Sequence, residues 1–245
     1  ISNSKISSET KEKYLIYLDK NIFNRNYFLC DDFYDLIAKH RKLMLITHSM
    51  KSNEVLNSGL SVINELKESS DILDIGCNAG YLTSFYAKIF PNSNLIGLDK
   101  SKKSILQAVK IFKVKQYSNL FFSNDYDILK KYKFNFIIDT QCLCTLKNKE
   151  LFLTLDLLKD CLNPNIKIIS ISNLRNEVDA NIFLKTFFNK KFYAESISPL
   201  FIKTLNGIVA YTKIVFTTKK NDEYDLKLYF KNIRNKISIV NLFNL

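Results

Sequence analysis

The chain has 245 residues, a formal net charge of +12 and five cysteines. That length suits one domain with appended segments, because it is enough to bury most of the surface that the unfolded chain exposes. No apolar run approaches the ~20 residues that span a bilayer, no secretory signal is visible, and we expect a cytoplasmic protein without membrane contact. The cysteines at positions 30, 77, 142, 144 and 161 suggest no pairing framework, and only two histidines are present, so neither a disulfide scaffold nor a metal centre is predicted.

The first seventy residues are predicted to be largely helical. Apolar residues recur at helical spacing in three segments, which cover residues 11–20, 30–40 and 54–68.

A strand, a glycine turn and a helix follow one another from residue 72. The apolar strand at residues 72–75 carries one acid, Asp74, and a helix is predicted from Tyr81 to about Phe90. The turn between them comprises Gly76, Cys77, Asn78, Ala79 and Gly80. The chain has only five glycines and places three of them here and in the next strand. This placement indicates that the glycines bring the backbone close to a ligand.

Two further predicted strands end next to acidic residues. Residues 95–98 are followed by Asp99 and Lys100, and residues 120–123 are followed by Asn124 and Asp125. The Gly-x-Gly-x-x-Gly turn of dinucleotide-binding proteins and the Gly-x-x-x-x-Gly-Lys-Ser/Thr loop of nucleoside triphosphatases are both absent. The Asp-x-Gly-x-x-x-Gly form suits a cofactor that carries no phosphate.

Strands and helices alternate over the remaining chain, as expected of a doubly wound sheet. The predicted elements are a helix capped by Ser101, a helical piece at 126–131, a strand at 134–139, a helix at 151–161, a turn at 163–165, a strand at 166–172, a helix at 178–189, and strands at 192–198 and 208–217.

This succession of strand-end acids around a Gly-x-x-x-Gly turn resembles the cofactor half of class I S-adenosylmethionine-dependent methyltransferases. The resemblance covers roughly residues 71–219. It implies an α/β fold with a doubly wound, seven-stranded, mostly parallel sheet that has an antiparallel last strand. It divides the chain into a helical N-terminal extension at 1–70, the methyltransferase core at 71–219 and a tail at 220–245 that is expected to be helical. Front extensions often cover the active site in this family, so we expect a lid, with an added packing layer as the alternative.

The resemblance further implies S-adenosylmethionine as the cofactor, with no metal. The glycine turn would lie along the methionine and the ribose, and Asp74 would help to hold the amino group. Asp99 would accept hydrogen bonds from both ribose hydroxyls, and Asn124 or Asp125 would meet the adenine amino group. The complete predicted cofactor site is Asp74, Gly76, Cys77, Asn78, Gly80, Asp99, Lys100, Asn124, Asp125 and Asp139.

The family places the methyl acceptor beside residues 139–145. This stretch lacks the Asn/Asp-Pro-Pro-Tyr/Phe motif of base N-methyltransferases and the sequence context of a cysteine nucleophile, so Cys142 and Cys144 are interpreted as structural. The run Phe-Asn-Phe-Ile-Ile-Asp-x-x-Cys-Leu is more similar to the small-molecule branch of the family. Asp139, as a general base or orienting group, and His48, from the front extension, are the candidate catalytic residues. Many relatives carry a histidine near the position of Cys144, and its absence here leaves the identity of the base open.

The sequence therefore predicts an enzyme that transfers a methyl group to N, O or S of a small molecule or metabolite. A methyltransferase acting on RNA or on a protein is the first alternative, and a non-catalytic subunit that retains the fold is the second. Basic surfaces bind phosphates, but this charge is almost entirely lysine and is scattered along the chain, with arginine only at positions 25, 41, 175 and 234. Nucleic-acid readers rely on the arginine fork, so nucleic acid is not a favoured partner. The sequence makes no prediction of oligomeric state.

Overall fold

The structure is a computed structural model that describes residues 7–18, 36, 39–40, 43, 52–112, 117–174, 177–204, 207–220 and 229–233. The candidate residue His48 and most of the helix predicted at residues 30–40 lie outside the described residues.

Seven strands alternate with helices along the described chain. The strands are β1 (Asp71–Ile75), β2 (Asn94–Leu98), β3 (Leu120–Ser123), β4 (Phe134–Thr140), β5 (Leu162–Ser172), β6 (Tyr193–Thr204) and β7 (Gly207–Thr217). The α-helices are α1 (Ser8–Leu18), α2 (Ser52–Ile63), α3 (Tyr81–Ile89), α4 (Lys102–Ile111), α5 (Asn148–Lys159) and α6 (Glu177–Asn189). Two short 3-10 helices span Tyr126–Lys130 and Leu143–Thr145.

The strands form one sheet in the order β3-β2-β1-β4-β5-β7-β6. Strands β1 to β5 are mutually parallel, and β7 runs antiparallel to both of its neighbours. The predicted fold class is therefore confirmed. The chain builds outward from β1 to β3 and then crosses to β4, so the strand order reverses between β1 and β4. In open α/β sheets such a switch point opens a crevice at the carboxyl ends of the strands.

Apolar residues cover both faces of the sheet. Four consecutive residues of β1 are buried, as expected for a strand of a parallel sheet with helices on both sides. One face forms a cluster with α5 and α6, and the other forms a cluster with α2, α3 and α4. Phe230 and Ile233 of the C-terminal tail belong to the first cluster. These two residues of the tail therefore pack on the body.

Several element boundaries differ from the prediction; helix α2, for example, ends at Ile63 rather than at residue 68. Helix α5 begins at Asn148 rather than at residue 151, because the Glu150 carboxylate accepts a hydrogen bond from the backbone N–H of Lys147 and closes the first turn. Strand β5 begins at Leu162 rather than at residue 166, since the predicted turn at 163–165 is accommodated as an irregularity in its register with β4. Strand β6 continues through Pro199 to Thr204, which is compatible with proline because β6 is an edge strand.

Gly97 should tolerate a methyl group much less well than Gly59. A Cβ at Gly97 would lie 2.5 Å from the Phe122 ring and 2.9 Å from Cys77 Sγ, whereas a Cβ at Gly59 would meet the movable end of Leu82 at 2.6 Å. We expect Gly97→Ala to lower the free energy of unfolding by about 1–3 kcal/mol. Gly59→Ala should change it by less than about 1 kcal/mol, because the gain in helix propensity offsets the contact. Urea unfolding of both variants checks this, and equal values for the two would contradict it.

Candidate cofactor site

The glycine turn after β1 is tied to the neighbouring strand by its own backbone. The N–H groups of Gly76 and Cys77 both donate to the carbonyl oxygen of Leu98, at 2.7 and 3.2 Å. Gly76 and Gly80 have φ angles of 73° and 76°, and Asn78 has a φ of 49°. Glycine adopts this left-handed region without steric cost, and asparagine is one of the few other residues that adopt it readily.

Protein side chains fill the space beside both glycines of this turn. A Cβ at Gly76 would lie 2.3 Å from Cys142 Cβ and 2.4 Å from its Sγ, and one at Gly80 would lie 2.4 Å from Phe122 Cζ. The sequence indicated that these glycines bring the backbone close to a ligand. The structure adds a second requirement, since internal packing alone excludes a larger residue at either position.

Asp99 joins the glycine turn to the start of α4. Its Oδ2 accepts a hydrogen bond from the N–H of Asn78 at 2.9 Å, and its Oδ1 accepts one from the N–H of Ser101 at 2.8 Å. Ser101 then caps α4 by accepting from the N–H of Ser104. Each carboxylate oxygen can accept more than one hydrogen bond. Asp99 is therefore held in one orientation while it keeps the capacity to accept further donors.

Asp74 is a buried carboxylate that accepts a hydrogen bond from a threonine of α3. Its side chain is 3% exposed, and Thr83 Oγ1 donates to its Oδ2 at 2.6 Å. Burial raises the pKa of Asp74 to about 7; the Thr83 hydrogen bond opposes this rise, and the negative charges of Asp139 and Asp99 add to it. Three carboxylates thus lie close enough at this edge of the sheet to influence one another.

Asp139 is fully buried and its carboxylate is occupied by donors of the protein. Its Oδ1 accepts from the N–H groups of Cys142 and Leu143, both at 2.9 Å, and its Oδ2 accepts from Ser170 Oγ at 2.6 Å. Burial raises the pKa of Asp139 to about 6, and these three hydrogen bonds hold it below the value that burial alone would give. The register pairs Ile75 with Asp139 and Asp74 with Ile138, so the two buried carboxylates point to opposite faces of the sheet.

The remaining predicted site residues lie at the same edge of the sheet and are more exposed. Asn124 and Asp125 follow β3 and are exposed, and Asp125 caps the 3-10 helix by accepting from the N–H of Asp127 at 2.9 Å. Lys100 is exposed beside Asp99. The structure therefore gathers every predicted cofactor residue at the carboxyl ends of β1 to β4.

Sequence reasoning missed the hydroxyl partners of the two buried acids, Thr83 and Ser170, and the adjoining Ser172. A signal for the two serines was present, since they occupy alternate positions of the otherwise apolar segment Ile-Ile-Ser-Ile-Ser in β5. Alternate positions of a strand share one face, so two buried serines there needed polar partners on that face.

The cysteines near the site are held as thiols. Burial raises the pKa of Cys77 and Cys142 well above the usual range and that of Cys144 to about 12, with nearby aspartates contributing. The four described cysteines at positions 77, 142, 144 and 161 form no disulfide. A nucleophilic cysteine requires a lowered pKa, so these environments support the interpretation of Cys142 and Cys144 as structural.

The described residues contain neither a candidate metal cluster nor a candidate membrane span. Across these residues, histidine, cysteine and acidic side chains do not come together in a group of three or more that could hold a metal ion. None of the helices in the described part of the chain is long and apolar enough to span a bilayer.

A doubly wound sheet with an acid-flanked glycine turn at its switch point defines a cofactor-binding α/β protein. The sequence profile of a family described as "Methyltransferase domain" matches residues 66–232, and the chain belongs to this family of class I S-adenosylmethionine-dependent methyltransferases. A comparison with curated proteins gives no significant match.

Solved structures of the same fold come from proteins with different described activities. A S-adenosylmethionine-dependent methyltransferase from Aquifex aeolicus has a TM-score of 0.53 at 15% identity, covering 65% of this chain and 88% of that chain. The tRNA methyltransferase TrmK of B. subtilis has a TM-score of 0.51 at 14% identity, with 66% of both chains covered. A protein whose structure is described for the conversion of a disulfide bond into a thioacetal group in echinomycin biosynthesis has a TM-score of 0.52 at 16% identity, covering 71% and 85%. At these identities the likeness concerns the fold alone.

Replacing Asp74 with asparagine should stabilise the ligand-free protein at high pH. The folded-state pKa of about 7 lies above the usual value, so the stability that this group contributes is present at low pH and is lost as the pH rises through 7. We expect Asp74→Asn to raise the free energy of unfolding by on the order of a few kcal/mol at about pH 8, with the gain vanishing near pH 4.

Denaturant unfolding at both pH values measures this difference. Asp71→Asn is the matched control, because Asp71 lies at the opposite end of β1 and accepts a hydrogen bond from the Asn94 side chain. A stabilisation by Asp74→Asn that is equal at the two pH values would contradict the assignment.

Proposed function

We propose that this protein binds S-adenosylmethionine at the carboxyl edge of β1, β2 and β4 and transfers its methyl group to N, O or S of a small molecule or metabolite. The observation that carries the proposal is the proximity of three carboxylates, Asp74, Asp99 and Asp139, at that edge, beside a glycine turn. Family membership supports both the cofactor and the methyltransferase activity.

The charge of the site fits this cofactor. Asp139 and Asp99 each raise the pKa of Asp74, because the negative charges of the three carboxylates repel one another in the free site. A ligand with a sulfonium and an ammonium group relieves that repulsion, whereas a pyrophosphate would increase it. When bound, S-adenosylmethionine supplies a methyl group on a positively charged sulfur that is already a strong electrophile.

Each acid has a role that its own geometry supports. Asp74 would face the amino group from the end of β1. Asp99, oriented by two backbone N–H groups, would accept the ribose hydroxyls, and Asn124 or Asp125 would meet the adenine. Alignment of the reacting groups is then the main contribution of the protein, and positioning can lower a barrier by ~7–11 kcal/mol.

Asp139 is better suited to an orienting role than to that of a general base in contact with the acceptor. It is fully buried and accepts three hydrogen bonds from the protein. A general base must reach the proton that it removes, directly or through one water. We therefore propose Asp139 as a positioning residue and retain His48 as a candidate base.

A small-molecule acceptor is supported by the way the front extension docks. Helix α2 is bound to β7 through Tyr211 Oη, which donates to Glu54 Oε2 at 2.6 Å, and through Lys213 Nζ, which donates to the carbonyl oxygen of Ser61 at 2.8 Å. Thr212, which follows Tyr211 in β7, pairs with Ser172 at the carboxyl end of β5. The first turn of α2 therefore lies beside the edge where the acceptor would bind, as a covering segment would.

Binding of S-adenosylmethionine should depend on Asp99 and not on Asp71. Loss of two charge-assisted hydrogen bonds costs about 1.5–3 kcal/mol or more, so Asp99→Ala should weaken binding at least tenfold. Asp71→Ala removes an acid at the other end of the neighbouring strand and should leave the affinity within about twofold. Calorimetric titration with S-adenosylmethionine and S-adenosylhomocysteine measures both. Absence of binding to the unchanged protein would overturn the proposal and favour a non-catalytic subunit.

The acceptor class is tested by transfer of a labelled methyl group from S-adenosylmethionine. Small amines, thiols and phenols should accept the label, and bulk RNA and protein should not. Label found only in RNA or protein would replace the small-molecule assignment with the first alternative.

A further inference from the structure

The turn at residues 142–145, which Asp139 holds, lies against the glycine turn at residues 76–80, called the cofactor loop below. The two consecutive N–H groups of Cys142 and Leu143 donate to Oδ1 of Asp139, and the N–H and hydroxyl of Thr145 both donate to the carbonyl oxygen of Cys142. Gln141, which precedes the turn, has a φ of 61°, and a non-glycine residue in this region costs free energy. The carboxylate of Asp139 therefore holds a turn that local backbone preference alone would not favour.

The same turn sets the position of Gly76. Cys142 occupies the space that a side chain at Gly76 would need, with its Cβ and Sγ 2.3 and 2.4 Å from the ideal Cβ position. Gly76 begins the glycine turn, and its N–H donates to Leu98. Packed interiors do not deform freely. A displacement of Cys142 would therefore also displace Gly76 and the cofactor loop that it begins.

A chain of buried hydroxyls leads into Asp139 from β5. Ser170 Oγ donates to Asp139 Oδ2 at 2.6 Å, and Ser170 Oγ lies 2.7 Å from Ser172 Oγ. Both serines are fully buried.

The direction of this chain follows from the chemistry of its end. An ionised carboxylate only accepts, so the single Ser170 proton points to Asp139. Ser172 must then donate to Ser170. The hydroxyl protons of Ser170 and Ser172 therefore both point toward Asp139, which favours the ionised form of its carboxylate.

We propose that Ser170 and Ser172 are positioning residues for the cofactor loop: by donating toward Asp139 they keep its carboxylate ionised, and the ionised carboxylate clamps the Cys142 turn against Gly76. The clamp rests on the proposed function, because it would act on the binding of S-adenosylmethionine. A neutral carboxyl accepts more weakly from the two N–H groups and presents a proton of its own, so the clamp loosens as the pH falls through the pKa of Asp139, which is about 6.

Several other titratable groups lie close enough to Asp139 for their charges to interact. Asp74 on β1 is electrostatically coupled to it, and the thiols of Cys142 and Cys144 lie in its field. Cys142 in turn raises the pKa of Cys77 in the glycine turn, and the charges of Asp99 and Lys100, after β2, act on Cys142. Because Asp74 titrates nearby, the test must change the hydroxyl donor to Asp139 and leave both acids in place.

Ser170→Thr and Ser170→Val provide that change as a matched pair, since the two side chains have the same shape and only threonine keeps the hydroxyl. Removing the donor raises the pKa of Asp139, so the valine variant should lose affinity at a higher pH than the threonine variant. We expect S-adenosylhomocysteine to bind the valine variant about tenfold more weakly than the threonine variant near pH 6.5, and within about twofold of it near pH 8.5. Equal pH profiles, or a loss that is the same at every pH, would overturn the proposal.

Hydrogen exchange of the ligand-free protein separates this clamp from the proposed function. At about pH 7 the amides of Cys142 and Leu143 should exchange faster in the valine variant than in the threonine variant. Ser172→Ala, which removes only the outer donor, should give a smaller change in the same direction. If the unchanged protein binds no S-adenosylhomocysteine, the proposed function fails, while the exchange comparison still decides whether the clamp exists. Equal exchange in the Ser170 variants would reject the clamp even in a protein that binds the cofactor.

Discussion

Burial of carboxylates at one edge of a parallel sheet is the constraint on which the rest of the site depends. Asp74 and Asp139 are almost fully buried at the ends of adjacent strands, where ionisation is costly unless donors are supplied. Thr83, Ser170 and two backbone N–H groups supply them. The compensation is incomplete, because the pKa of each acid stays above its usual range. The free protein thus retains an electrostatic strain that a cationic ligand would relieve, a trade of stability for function.

The acids at this edge also organise the backbone that surrounds them. Asp99 links the glycine turn to the capped start of α4, and Asp139 links the end of β4 to the turn that packs on Gly76. A substitution at Asp99 would remove a proposed ligand contact and disturb a turn at the same time, and one at Asp139 would disturb the turn that packs on Gly76. Paired variants that keep shape and change one donor or charge are therefore more informative here than truncation to alanine.

The predictions succeeded where the signal is local and failed where pairing decides the outcome. Strand β1 and helix α3 were predicted to within one residue, because an apolar strand, two glycines and a helical repeat are adjacent in the chain. The early start of β5 depends on its irregular register with β4, and the extension of β6 depends on its pairing with β7. The residues of β5 and β6 do not by themselves reveal which strand each pairs with. Their hydrophobic pattern alone therefore predicted strands shorter than those observed.

The sequence by itself determined the succession of strands and helices along the chain, the glycine turn and the acids that follow the strands. Each of these features depends on a few neighbouring residues. Only the tertiary structure decided that Asp139 meets Ser170, that Asp74 and Asp139 point to opposite faces of the sheet, and that Cys142 packs on Gly76. It also decided the protonation behaviour of both acids, which made one of them a positioning residue in our proposal. The physical reason is that register and burial join segments distant in the chain, and a side chain's pKa reflects those neighbours rather than its place in the sequence.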